Sequence, residues 1–238
     1  LTEAGLRYKA TSVTDTPILC DLFIRTYPGD AAYHEKCLAS IDKFCTGFRN
    51  TVVVNKTDRS PRIGYLQQQV DKLHADTWTD ADYVLITDSD TLFKTPVTPE
   101  TYFRDGKPIW LHTPWDLVIK ALPSTAKWKR VMQEFAGVEP EHEFMRRQPF
   151  MIPAWLLKDL RQWCVFQHTR ALADYVMNSH WFTEYNVLGH HAWRFHHDRF
   201  HWIDTSKDEL PELTVHQFRT LGRNPIEADL EEINRILA

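Results

Sequence analysis

Two aspartates separated by one serine, Asp88 and Asp90, close the apolar run Tyr83-Val84-Leu85-Ile86-Thr87. Carboxylates at this spacing on extended backbone point to one side, where they can share a hard divalent cation and leave water positions open. A cation held there would bridge a diphosphate and neutralise a departing nucleotide. The motif alone is weak evidence, because nineteen aspartates in 238 residues give roughly 1.5 Asp-x-Asp matches by chance, and Asp80-Ala81-Asp82 is a second one. Position separates the two. Asp80 and Asp82 precede the apolar run and fall at its amino end, whereas Asp88 and Asp90 follow it, at the end where ligands of open α/β sheets bind. A solvated turn after a strand accounts for the same two residues when the motif is taken by itself.

The elements that must carry these side chains follow from hydrophobic periodicity. Ile18 to Thr26 is a near-continuous apolar run ending in Tyr27-Pro28-Gly29, which predicts a buried strand and a turn, and residues 30 to 44 predict a helix. Thr51 to Val54 predicts a second strand, Leu66 to Ala75 a helix, and Tyr83 to Thr87 a third strand. Strands without alternation are buried on both faces, and strands separated by helices are parallel with right-handed crossovers. The first half therefore predicts an α/β doubly wound sheet, mainly parallel and flanked by helices, with Pro108 to His112 as a fourth strand. Helical spacing recurs over Thr125 to Phe135, Pro153 to Gln167, Thr183 to Phe195 and Pro225 to Leu237, with a short strand at Phe200 to Ile203 and a loop over Thr205 to Glu212.

Composition narrows the classes of function. An apolar share of 43% closes a sizeable core, and no repeat or linker divides the chain, so one domain over residues 1–238 is expected. The formal charge of -4 supplies no global positive field for nucleic acid or anionic lipid. Cys20, Cys37, Cys45 and Cys164 show no CxxC spacing and are expected as buried thiols of a reducing compartment. No apolar run approaches the roughly 18 residues of a membrane span, and no signal-peptide pattern is visible, so a cytoplasmic protein without stable membrane insertion is expected.

The stretch YVLITDSDTLF (Tyr83 to Phe93) resembles the DxD segment of GT-A type glycosyltransferases. Together with EFMRRQPFMIPAWLL (Glu143 to Leu157), FTEYNVLGHHAW (Phe182 to Trp193) and FHHDRFHWID (Phe195 to Asp204), it makes the chain similar, from about Pro17 to Leu221, to a poorly characterised GT-A-like family catalogued mostly as a domain of unknown function. The resemblance implies a GT-A-like, Rossmann-like fold, a nucleotide-sugar donor with UDP-sugar the default, and a divalent metal, usually manganese, with magnesium as the alternative. It implies Asp90 as direct metal ligand and Asp88 on the ribose or a metal-bound water. Arg25, Thr26 and Tyr27, at the end of the first strand, would hold base and ribose. Glu184 would face the acceptor, as general base in an inverting enzyme or as a holder of the donor sugar in a retaining one, with Asn186 beside it at the substrate. A C-terminal histidine would complete the metal shell, for which His196, His197 and His201 are available and His197 is taken here. The acceptor is left open among saccharide, lipid-linked sugar, protein and modified nucleobase.

Other residues carry readings of their own. Glu184 fits equally a helix N-terminal acid that only complements the macrodipole, with Thr183 as cap. His190, His191, His196, His197 and His201 crowd together, but without an HExxH frame or a nearby cysteine they make only a weak case for zinc. Arg146 and Arg147 could clamp phosphate or an acidic acceptor, or be ordinary surface arginines. Trp110, His112 and Trp115 could stack on a pyranose and bond its hydroxyls, although core packing explains Trp110 as well. Gln68 and Lys72, one turn apart on the helix before the DxD strand, could reach the nucleotide but are expected in solvent. Two rivals stay open: a metal-dependent phosphotransferase or nucleotidyltransferase, weakened by the lack of GxxxxGK[ST] and GxGxxG loops, and a catalytically silent carbohydrate-binding or scaffold module.

Overall fold

The computed structural model describes residues 18–56, 60–219 and 224–238. The amino end of the span 1–238, and the limits of the resemblance at Pro17 and Leu221, lie outside the described residues. The protein is a mixed α/β fold. Its main sheet has the order β2-β1-β3-β8, formed by β1 (Cys20–Thr26), β2 (Thr51–Asn55), β3 (Tyr83–Asp88) and β8 (Phe150–Pro153). β1 pairs in parallel with both β2 and β3, with Phe23 opposite Val52 and Ile86, while β8 runs antiparallel to β3.

All seven residues of β1 are buried, because helices cover both faces of the sheet. Leu22, Ile24 and Leu85 pack on one side with Cys37 and Ile41 of α1 (Ala31–Phe44). Phe23, Val84 and Ile86 pack on the other with Leu66, Val70 and Leu73 of α2 (Pro61–Leu73), Leu156 and Leu160 of α5 (Ala154–His168), and Val187 and Leu188 of α7 (Glu184–His196). The period-2 alternation of a strand thus sends odd residues of β1 and even residues of β3 toward α2. Asp88, the last residue of β3, shares that face.

The expected fourth strand is displaced. β6 (Lys107–Pro114) contains Pro108 to His112 but joins a separate sheet, pairing in parallel with β9 (His201–Asp204) and antiparallel with β5 (Phe103–Arg104) and β7 (His142–Glu143). The place beside β3 goes to Phe150–Pro153, whose short run reads in sequence as the lead-in to a helix. Pro153 is accordingly the last strand residue, and α5 begins at Ala154. A third pairing joins β4 (Thr91–Phe93) to β10 (Val215–Gln217), which brings the far end of the sequence back to the Asp88–Asp90 turn. The remaining helices are α3 (Trp115–Ala121), α4 (Ala126–Ala136), α6 (Leu172–Asn178) and α8 (Glu227–Leu237).

α7 lies unusually close to the chain segment after β7. A Cβ placed on Gly189 would fall 2.4 Å from Cβ and 2.5 Å from Cγ of Phe144, so only glycine permits this seating of the helix. The neighbouring Asn186 locks it further, since its Oδ1 accepts from the Phe144 backbone N–H at 2.7 Å. All four cysteines are unbridged, three of them buried, and among the described residues no helix is long and apolar enough to cross a membrane.

Candidate active site

The carboxyl ends of β1 and β3 meet α2, the start of α7, the segment bearing Gln148 and strand β10 with Gln217. Asp88 ends β3, and Ser89-Asp90 form a turn rather than the extended backbone assumed from the motif. The two carboxylates nevertheless meet a common donor: the Gln217 Nε2 on β10 lies 3.0 Å from Asp88 Oδ2 and 3.5 Å from Asp90 Oδ1. Asp80 and Asp82 fall at the opposite end of the sheet, as their position in sequence predicts. Asp82 Oδ2 accepts the Leu19 backbone N–H at 3.0 Å, and Asp80 pairs with Arg49 at 2.6 Å.

Lys72, expected in solvent, is instead the buried cation of the site. Its side chain is 4% exposed, with Nζ 2.6 Å from Asp88 Oδ1 and 3.0 Å from Glu184 Oε1. The ammonium also lies 5.3 Å from the centre of the Tyr185 ring, which is stacked on Phe150 at 3.9 Å. Burial opposes its charge, yet Asp88, Tyr185 and Glu184 around it hold its pKa well above the ordinary lysine value. Burial likewise works against ionised Asp88, but Lys72 together with the Gln148 and Gln217 amides keeps its carboxyl below the usual carboxylate range. The Gln148 side chain grips Asp88 twice, donating from Nε2 to Oδ2 and accepting the Asp88 backbone N–H on Oε1 at 3.0 Å.

Glu184 opens α7, with its side chain 6% exposed. Thr183 does not cap this helix, because its hydroxyl is turned to Met145 Sδ and to Asn186 Nδ2. The orphan N–H of Glu184 goes instead to Gln69 Oε1 on α2, at 3.0 Å. A helix terminus that borrows its cap from a neighbouring helix is thereby fixed to it, and the Lys72–Glu184 pair is fixed with it.

The other expected site residues divide into those near this crevice and those away from it. Arg25 and Thr26 are buried at the end of β1 and Tyr27 is half-buried just beyond. Arg25 Nε lies 3.4 Å from Asp71 Oδ2, in a cluster that includes Lys56 and Gln67, and the Thr26 hydroxyl is enclosed without a hydrogen-bond partner. Arg146 is paired with the fully buried Glu143, and Arg147 donates to the Pro211 carbonyl at 2.7 Å. Asn186 is 0% exposed, and both ends of its amide are taken by Phe144 and Thr183.

Trp110, His112, Trp115 and His197 need correcting in position. Trp110 is 2% exposed, its indole N–H donating to the Phe144 carbonyl at 3.1 Å and its faces packed against Phe150, Phe200 and Trp202. Trp115 is 1% exposed in the same core, and no indole face of either residue is open to a sugar. His197 follows the last residue of α7, thirteen residues beyond Glu184. At 1.5 Å per residue that is about 20 Å along the helix, too far to share a cation with Asp88 or Asp90.

His112 is buried between His142 and Trp193, with ring centres 4.5 and 4.8 Å away. Burial, and then the neighbouring His142, push its pKa down from 6.5 to about 4. The unfolded chain therefore binds a proton between those two values that the folded chain refuses, and stability falls as pH drops through that window by about 3 kcal/mol. His112→Phe is expected to remove this slope. Urea unfolding at pH 7.5 and 4.5 checks it: the variant should lose clearly less stability between the two values than the wild type does.

Sequence reasoning missed Gln69, Lys72 in its buried role, Gln148 and Gln217. Lys72 left one trace, a lysine between Val70 and Leu73 on the face where α2 is apolar. Gln148 stands inside one of the four segments that carry the resemblance, but Gln217 had no signal, since its role depends on β10 returning to β4. No protein-family model matches this chain and no curated protein matches it, so the case for its chemistry rests on these side chains.

Proposed function

We propose that the protein is a metal-dependent glycosyltransferase of GT-A-like fold that moves a sugar from a nucleotide diphosphate donor, UDP-sugar by default, to an acceptor hydroxyl. The observation that carries the reading is the pair Asp88 and Asp90 at the carboxyl end of a parallel strand, both within reach of the Gln217 amide. Two carboxylates offer hard oxygen ligands, which suit manganese or magnesium. Asp88 Oδ1 is taken by Lys72, so Asp88 Oδ2 and Asp90 are the atoms that would hold the cation once the Gln148 and Gln217 amides turn aside.

A cation bound there would offset the charge that develops on a departing diphosphate. Lys72 keeps Asp88 ionised and in place, and it ties Glu184 to the same wall of the crevice. A carboxylate already paired with a lysine gives up that pair to accept a proton, which favours Glu184 as a holder of donor or acceptor over a general base. In this reading Arg25, Thr26 and Tyr27, at the neighbouring strand end, would hold the nucleoside.

A donor screen that records nucleotide release with and without manganese tests the reading. Asp90→Ala is expected to abolish metal-dependent release, by about 10²-fold or more, while the unfolding midpoint stays near that of the wild type. Equal release by mutant and wild type would reject the metal assignment. One feature favours a second reading, the silent carbohydrate-binding module: Lys72, Gln148 and Gln217 already satisfy Asp88. Calorimetry with UDP and manganese separates the two, since the silent module gives no metal-dependent heat.

A further inference from the structure

We propose that Asp159, His191 and His196 form a second cation site, a nitrogen-rich one for zinc or a similar transition ion, which clips α5 to α7 away from the Asp88–Asp90 crevice. His191 Nε2 and His196 Nε2 both end on a single oxygen, Asp159 Oδ2, at 2.7 and 2.8 Å. The three ligand atoms lie within 4.8 Å of one another. Ligands about 2.0–2.1 Å from a tetrahedral zinc stand about 3.3 Å apart, so side-chain rotations that open the two nitrogen–oxygen contacts by roughly half an ångström and draw the two nitrogens together would seat the ion.

The rings are braced for this. His196 rests edge-on against Trp155 at 4.8 Å, and His191 packs between Trp163 at 5.5 Å and Phe195 at 5.0 Å. His191 is 3% exposed, so its place beside Asp159 is fixed by packing. The side chains of Asp159 and His196 are 42% and 22% exposed, so an ion enters from solvent and a water takes the fourth position. Two imidazoles and one carboxylate select zinc, copper or nickel over manganese and magnesium, the reverse of the preference at Asp88 and Asp90. Along α7, His191 lies about 10 Å and His196 about 18 Å beyond Glu184, so the two sites share no ligand. Sequence shows only the crowded histidines and hides their partner, because Asp159 is more than thirty residues from either and follows no metal-binding spacing.

The test is titration of the metal-stripped full chain with zinc by calorimetry, and with cobalt by visible absorption. The wild type is expected to bind one zinc equivalent and to give the intense visible band of tetrahedral cobalt. His196→Ala and Asp159→Asn should each weaken binding at least 30-fold and remove the cobalt band. His197→Ala, which removes the exposed neighbouring imidazole, and Asp90→Ala should leave both readouts unchanged. Melting measured with zinc and with a chelator adds a second readout: zinc should raise Tm in the wild type and not in His196→Ala. Absence of stoichiometric binding by the wild type, or unchanged zinc affinity in His196→Ala with its fold verified by circular dichroism, overturns the site and leaves two imidazoles hydrogen-bonded to a carboxylate.

Discussion

Lys72→Met is expected to destabilise the fold by about 3–5 kcal/mol at neutral pH, because it strips the cation from two enclosed carboxylates while filling the same volume. Asp88 and Glu184 would then face each other across an apolar side chain, their pairing at 2.6 and 3.0 Å gone. For a chain of this size the loss corresponds to roughly 6–20 °C in Tm. Its pH dependence has a definite sign. In the wild type the Asp88 carboxyl is held below its ordinary value, so its contribution is present above that value and disappears as pH falls through the folded pKa. In the variant the unpaired carboxylates take up protons at higher pH, which relieves the penalty, so the gap between the proteins narrows from pH 7.5 toward pH 4.5. Urea unfolding at both values measures it, and equal midpoints at pH 7.5 would show that the lysine carries no such burden. The variant also frees Asp88 Oδ1, so wherever it stays folded it should bind manganese more tightly than the wild type.

The second large effect is expected at Trp110. Truncation to alanine leaves a cavity among Phe150, Phe200 and Trp202 and an unpaired Phe144 carbonyl, which together cost about 3–5 kcal/mol. Chemical denaturation reads that loss directly. An indole that bound sugar would behave otherwise: its removal would raise KM for donor or acceptor and leave the unfolding midpoint nearly untouched. A KM-only phenotype for Trp110→Ala would therefore return the residue to the substrate list. The comparison is decisive because Trp110 sits in the second sheet, under Trp202 of β9 rather than along the Asp88 crevice.

Much of the scaffold was legible in sequence for one reason: β1 and β3 are buried on both faces, so their apolar runs are unbroken and end abruptly where chemistry begins. Asp88 and Asp90 could be separated from Asp80 and Asp82 by that rule alone. What escaped is whatever depends on pairing between distant segments. Phe150–Pro153 is four residues long and runs into a helix, so periodicity alone cannot tell a strand from a helical lead-in. Pro108 to His112 was legible as a strand, but the sheet it joins is set by β9, ninety residues on. Lys72 was assigned to solvent because its partners arrive from β3 and α7, and the histidine expected at the metal was misplaced because a helix of thirteen residues separates Glu184 from His197.

The four side chains that converge on Asp88 come from positions 72, 148, 184 and 217, counting Glu184 through Lys72. During synthesis the strand bearing the two aspartates leaves the ribosome with only its lysine in place, and Gln217 follows after 129 more residues. A nascent chain released before that point would keep the carboxylates but lack the amide that spans them. Closure of the site thus waits on a long-range pairing, and the long loop it requires makes a slow folding phase the natural expectation for this topology.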